Sequence, residues 1–355
     1  MSFAIFPAHR RPPLSLGPSD GSTGTPDPAD VDPSDSDAAA EEPQAPPSVM
    51  CFNASDPTGA GGTAGDVATV AAMGAHALPV LTSVIVRDTA EIFEQTALDS
   101  DVVAEQARTV LEDITIAAWK VGFLGSAESV GAVAEILSDY PDVPLVTYLP
   151  NLGWIDDEEQ FQSYHDALRE LVLPQTELLI GNHKTLTDFL LPEWESERAP
   201  SARELAVAAA EHGTRHVLVT GLQPPGQFVD NILASPQGAI TGEKFERFET
   251  SFIGAGDTLS ASIAALIATG MELHQAVGEA LAFLDQSLDS GFRPGMGHVI
   301  PDRFFWALPP EDEEAPEDGT EPPPPGRTVQ PASTPSTDSS SSSKDVPSKP
   351  SRHVH

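Results

Sequence analysis

The chain has 355 residues, 54 of them Asp or Glu and 18 Lys or Arg, which gives a net charge of −36. Cations outnumbered threefold, with no basic run, exclude a phosphate-gripping nucleic-acid surface and disfavour anionic membranes. A single cysteine, Cys51, excludes an intramolecular disulfide and any multi-thiolate metal site.

The opening Met1–Ala8 is too short for a signal-peptide core, and Arg10 and Arg11 follow it instead of preceding it. Nothing approaches the ~18 consecutive apolar residues of a membrane span. A soluble protein of the reducing cytoplasm is expected. Residues 1–47 carry 10 of the 34 prolines and residues 311–355 carry 9 more, among long Ser, Asp and Glu stretches. Such ends cannot bury enough apolar surface to offset the entropy of ordering, so they read as disordered tails. Between them, residues 48–310 suffice for one large α/β domain.

In chain order, β-rich runs at 48–53, 78–86, 116–121, 143–149, 177–180 and 216–220 alternate with helical patterns at 62–74, 101–112, 126–138, 158–172 and 201–212. Cys51 falls in the first apolar run, as a core residue does. This is the βαβ rhythm of a mostly parallel sheet with helices on both faces. Ser201 and Glu204 fit a capping box. Asp156 to Glu159 suit a helix start more than a metal. The last helix shows its buried stripe in Leu273, Val277, Leu281, Leu284 and Leu288. His183, His212 and His216 show no metal-site pairing, and no Ser/His/Asp triad can be assembled from one sequence.

Two glycine-rich segments invite chemistry. The first, Asn53 to Asp66, follows a strand and enters a helix, where glycines allow a tight turn and let a ligand approach the backbone. It also satisfies a relaxed dinucleotide fingerprint, with Asp88 at the spacing of a ribose-binding acid. Ala54 to Thr58 intervene between strand and first glycine, however, and a flexible connection explains the segment as well. In the second, Gly254 and Gly256 precede an Ala-rich helix with Asp257 in its first turn. Backbone N–H groups there can form an anion hole, and Asp257 can accept a proton from a substrate hydroxyl. Helix capping is the competing explanation for Asp257.

Together with Ala72–Ala75, Lys120–Leu124 and Gly295–His298, these segments resemble, in order and spacing, the hydroxymethylpyrimidine/phosphomethylpyrimidine kinase branch of the ribokinase-like superfamily. The resemblance covers about residues 48–308 and implies a three-layer sandwich, ATP and Mg²⁺ as cofactors, a small pyrimidine substrate and a homodimer. It implies that Asp66 hydrogen-bonds the pyrimidine, that Phe123 lies against the ring, that Ala54 and Arg87 line the substrate, and that Gly254, Ala255 and Gly256 form the anion hole. Asp257 stands where this branch has a cysteine and the wider superfamily its catalytic base. On the nucleotide side, Asn182 begins the Mg²⁺ and phosphate motif. Thr185 stands there for a glutamate, Thr220 for a lysine and Thr147 for an aspartate, and no metal ligand is assigned. The implied reaction is phosphorylation of 4-amino-5-hydroxymethyl-2-methylpyrimidine and then of its monophosphate. Two alternatives arise from the departures: a weakened relative that binds a pyrimidine or thiamine precursor as a sensor or partner subunit, and a kinase for another hydroxymethyl heterocycle such as pyridoxal.

Overall fold

The computed structural model describes residues 45–224 and 226–307. The expected tails and the boundary at 310/311 fall outside the described residues except for residues 45–47, and the boundary at 47/48 lies just inside them, at the start of the first strand. The compact unit that carries the fold ends at Phe305.

Nine strands form one sheet: β1 Ser48–Ser55, β2 His76–Arg87, β3 Ile92–Ala97, β4 Ala118–Val121, β5 Leu145–Tyr148, β6 Leu178–Asn182, β7 His216–Leu222, β8 Phe228–Ser235 and β9 Gly238–Glu246. Their spatial order is β3-β2-β1-β4-β5-β6-β7-β8-β9. The stretch from β2 to β7 is parallel, whereas β3 at one edge and the β8–β9 hairpin at the other pair antiparallel. All four residues of β4 are buried, as expected of a central parallel strand covered on both faces.

The helices are α1 Gly62–Ala72, α2 Ser100–Leu111, α3 Ala127–Ser138, α4 Glu158–Ala167, α5 His183–Leu190, α6 Ala202–Glu211, α7 Ala255–Ala268 and α8 Leu273–Asp289. The two-residue period of β1 divides the core. Met50 and Phe52 join Trp119, Val133 and Tyr164 in the layer under α2 to α6, while Val49 and Cys51 join Val146, Leu259 and Leu281 under α1, α7 and α8. This is the three-layer arrangement expected from the sequence, and Cys51 lies in the core.

The expected capping box of α6 is present, with Ser201 Oγ accepting from Glu204 N–H and Glu204 reaching back. Asp157 caps α4 through the N–H groups of Glu159 and Gln160. The helix expected over 158–172 changes character after Ala167, continuing as a single π turn at Leu168–Val172 and a 3₁₀ turn at Leu173–Gln175, where Pro174 removes a donor.

Candidate active site

Because β1, β4 and β5 are parallel, their carboxyl ends share one edge of the sheet, the edge at which ligands bind in open α/β folds. Alternation along the strands places Asn53, Lys120 and Tyr148 on the α7 side. Cys51 pairs in register with Lys120, and Lys120 with Val146. At this edge a buried polar cluster replaces the apolar packing.

Lys120 is its centre. The side chain is wholly buried, and a buried ammonium needs partners. Its Nζ lies 2.8 Å from Asp66 Oδ1 and 2.7 Å from Asp257 Oδ1, and it also donates to Asp66 Oδ2 at 3.0 Å. Asn53 completes the arrangement. Its Nδ2 donates to Asp66 Oδ2 at 2.9 Å and to Asp257 Oδ1 at 2.8 Å, while its Oδ1 accepts the N–H groups of Ala54 (2.9 Å) and Phe123 (3.1 Å). Gly62 N–H donates to Asp257 Oδ2 at 3.1 Å.

The glycines follow from this packing. A Cβ on Gly122 would strike the Asn53 amide, and Gly254, at φ +80°, lies so close to the Ala60 carbonyl that no side chain fits. Gly256 faces the ring and hydroxyl of Tyr148. The loop that approaches α7 is itself braced. Asp56 accepts from Thr58 N–H, Thr58 Oγ1 and Gly61 N–H, and pairs with Arg87 at 3.6 Å. Arg303, buried to 6 % exposure, donates to the Ala60 carbonyl, to Gly59 O at 3.4 Å and to Thr258 Oγ1 at 3.1 Å, tying loop and helix start together.

Electrostatics separate the two acids. For Asp66, burial dominates over the pull of Lys120 and raises the carboxyl to about 6, with the negative charge of Asp257 adding to the rise. For Asp257, burial acts upward too, but Lys120 and the hydrogen bonds from Lys120, Asn53 and Gly62 outweigh it and hold the carboxyl below its ordinary value. Burial works against the Lys120 ammonium, yet the two carboxylates raise its proton affinity, so it is a fixed cation. Asp257 is thereby held as a carboxylate, able to accept a hydrogen bond from a hydroxyl.

The expected residues Asp66, Asp257 and the neighbours of Asn53 are therefore brought together, with different exposures. Asp66 and Asp257 meet on one ammonium, but the Asp66 side chain has no exposed surface whereas that of Asp257 is 16 % exposed. Asp66, expected at the pyrimidine, contacts Lys120 and Asn53. Ala54 and Phe123 are buried beside Asn53, Phe123 packing against Trp154 and Tyr164. Arg87, expected against the substrate, is paired with Asp56. Gly254 and Ala255 enter α7 with Gly256 and Asp257 as expected, Gly254 serving as its left-handed cap.

The residues expected on the nucleotide side lie further along the same edge. Asn182 and Thr220 are register partners at the ends of β6 and β7. Asn182 caps α5 by accepting Thr185 N–H at 2.9 Å, and Thr220 Oγ1 donates to Gly181 O at 3.3 Å. A cleft of about 600 Å³ opens here, lined by residues that include Asn182, Lys184, Pro200, Gly221 and Gln223. Its size suits a nucleotide, but no carboxylate lines it, and no group of three or more His, Cys, Asp or Glu among the described residues could hold a metal ion. These residues do not fit a protein-held Mg²⁺. Thr147, at the position compared with an aspartate, faces away from the site and hydrogen-bonds Thr176 at 2.9 Å; the β5 residue that faces α7 is its neighbour Tyr148.

The fold and this edge define a ribokinase-like small-molecule kinase. A solved structure of Bacillus subtilis pyridoxal kinase in complex with ADP superposes with a TM-score of 0.68 at 20 % identity, over 75 % of this chain and all of that one. The phosphomethylpyrimidine kinase family model matches residues 56–302, and the chain belongs to that family. Among relatives, the hydroxymethylpyrimidine/phosphomethylpyrimidine kinase of Streptomyces coelicolor is 28 % identical over 267 residues, covering 75 % of this chain and 97 % of its own. The Escherichia coli kinase of the same description is 30 % identical over 254 residues, covering 69 % and 92 %.

The sequence alone does not single out Asn53, Lys120, Tyr148 and Arg303 as site residues. Lys120 has a signal, a lone cation inside the apolar run of β4. Asn53 and Arg303 lie just outside the stretch matched by the family model.

Proposed function

We propose that the protein transfers a phosphoryl group from ATP to the hydroxymethyl oxygen of 4-amino-5-hydroxymethyl-2-methylpyrimidine, and then to its monophosphate, in thiamine biosynthesis. One observation supports this above others: the family match runs from Asp56 to Asp302 and so contains the glycine loop, Lys120 and the start of α7 in one stretch.

In this reading the pyrimidine lies at the ends of β1, β2 and β4, near Ala54, Phe123 and the Arg87–Asp56 pair. Asp257 accepts a hydrogen bond from the hydroxyl, orients its oxygen and takes its proton as the new O–P bond forms and the bond to ADP breaks, passing the proton on to water. The N–H groups at the start of α7, around Gly254, Ala255 and Gly256, face the transferring phosphoryl group, where the helix dipole favours negative charge. Asn182 and Thr220 stand on the nucleotide side. ATP supplies the phosphoryl group when bound, and Mg²⁺ would arrive on the triphosphate, since Mg²⁺ is commonly held by substrate phosphates and water. Phosphoryl transfer demands positioning and charge stabilisation more than a strong base, so a stable carboxylate at 257 is compatible with turnover.

ADP release with the hydroxymethylpyrimidine, ATP and Mg²⁺ tests the proposal. Turnover well above that of an Asp257→Ala variant is expected, and a rate equal to it would remove the proposal. A second reading, a relative that binds the pyrimidine but turns it over slowly, is favoured by the triple hold on Asp257; calorimetry showing tight pyrimidine binding without ATP binding would select it. Pyridoxal belongs in the same assay as a competing alcohol.

No helix among the described residues is long and apolar enough to cross a membrane. Exposed Val84, Val86 and Phe93 along β2 and β3 support a homodimer through that edge. Light scattering of Phe93→Glu against the native chain tests this, with the variant expected to be monomeric.

A further inference from the structure

The buried ammonium of Lys120 is shared by two carboxylates, Asp66 and Asp257. Its position decides which part of Asp257 remains available. A carboxylate oxygen accepts two hydrogen bonds readily. Asp257 Oδ1 already receives two, from Lys120 Nζ at 2.7 Å and Asn53 Nδ2 at 2.8 Å, whereas Oδ2 receives one, from Gly62 N–H at 3.1 Å. The carboxylate is thereby locked in rotation, with Oδ2 as the oxygen that has acceptor capacity left. Lys120 is locked in turn: Asp66, wholly buried, accepts its hydrogen bond at Oδ2 (3.0 Å) and lies in ion-pair contact with it through Oδ1 (2.8 Å).

We propose that Lys120 is the positioning residue of the transfer site: braced by Asp66, it turns Oδ1 of Asp257 inward and leaves Oδ2 to receive the substrate hydroxyl. This rests on the proposed kinase function and deepens it by assigning the two carboxylates separate tasks. Asp257 meets the substrate, and Asp66 holds the residue that aims Asp257. The other groups facing the pair from neighbouring elements are the Cys51 thiol of β1, the Tyr148 hydroxyl of β5 and the Arg303 guanidinium. Burial raises the first two, with Asp257 adding to the rise, so neither competes for a proton transfer with Asp257. Arg303 is a second fixed cation.

The test is a paired replacement, Lys120→Met with Asp66→Asn, which removes one positive and one negative charge and keeps both shapes. In the full-length chain labelled with ¹³C at aspartate carboxyls, and with Asp257 assigned by Asp257→Asn, the Asp257 titration midpoint should move upward by at least about one pH unit, since it loses its ammonium. In the kinase assay kcat should fall about tenfold or more, KM for the pyrimidine should stay within about threefold, and the acid limb of the kcat profile should move to higher pH. A folded double variant with an unmoved Asp257 midpoint and an unmoved acid limb overturns the proposal. If the native chain proves inactive, the functional reading fails but the carboxyl titration still decides: a moved midpoint supports the hold of Lys120 on Asp257, and an unmoved one removes it. If the double variant does not fold, the native chain decides alone, because an Asp257 midpoint at or above the ordinary aspartate value overturns the proposal.

Discussion

The two halves of the sheet edge are built on opposite principles. At the ends of β1 and β4 the polar groups of the cluster are largely enclosed and shared: Lys120 is divided between two carboxylates, and Asn53 uses both ends of its amide. At the ends of β6 and β7, Asn182 and Thr220 satisfy themselves locally beside an open cleft, and Lys184, exposed on α5, pairs with Asp188 one turn on. Substitutions on the first side should therefore be felt throughout the fold, and those on the second should change binding with little effect on stability.

The largest effect is expected from Lys120→Met alone. Two buried carboxylates would then face each other with the Asn53 amide as their remaining shared donor, and stranding charge in this way costs about 3–5 kcal/mol. Urea unfolding should show that loss. A variant as stable as the native chain would mean the enclosed half tolerates unpaired charge, and would abolish the contrast.

Next in size are the glycines. Gly254→Ala asks a side chain to adopt φ +80° against the Ala60 carbonyl, and such backbone strain costs about 1–3 kcal/mol before any clash. Gly256→Ala meets the Tyr148 ring instead, so a Tyr148→Ala change should restore part of its stability and activity and should restore nothing to Gly254→Ala. Equal rescue of both would show that Tyr148 is not what Gly256 accommodates.

Much of this was legible in the sequence. Two-residue and helical periods located the parallel core, because strands buried on both faces and amphipathic helices declare themselves in composition. The edges did not. β3, β9 and the short α5 are half-exposed, so their apolar residues show no continuous run, and β8 and β9 turn through Pro236 and Gln237 without an Asn-Gly or Asp-Gly signal. In the site, Asp66 and Asp257 were legible as acids beside glycines. Their shared ammonium was not, because the contact of Lys120 with residues 54 and 137 positions away depends on strand order. Thr147 was legible as a strand residue, but its partner Thr176, 29 positions on, was not; one residue along a strand reverses the face, so Thr147 and Tyr148 look to opposite sides.

A smaller effect lies in pH. Asp66 rises from an ordinary 3.8 to about 6 on folding, so the folded chain holds that proton more tightly than the unfolded one. Its contribution favours the fold at acid pH and declines as pH rises from about 4 to 6. Asp257 acts in the opposite sense, contributing stability above its ordinary value that is lost as pH falls. Urea midpoints across pH 4–7 should lose the Asp66 decline in Asp66→Asn, and an unchanged profile would show that Asp66 is ionised throughout.

The smallest effect on stability, and the sharpest probe of the open half, is expected from Thr220→Lys. Thr220 is partly exposed at the end of β7 and contributes one long hydrogen bond, to Gly181 O at 3.3 Å, so its replacement should stay within about 0.5 kcal/mol. A lysine there adds a flexible cation beside Asn182, where no carboxylate lines the cleft to pair with it. KM for ATP should fall by about threefold to tenfold, while KM for the pyrimidine should not move, and the gain should shrink with added salt as an exposed charge contact does. An unchanged KM for ATP would place the triphosphate away from the β6–β7 end. The two halves would then differ in packing alone, and the nucleotide would have to approach Asp257 by another route.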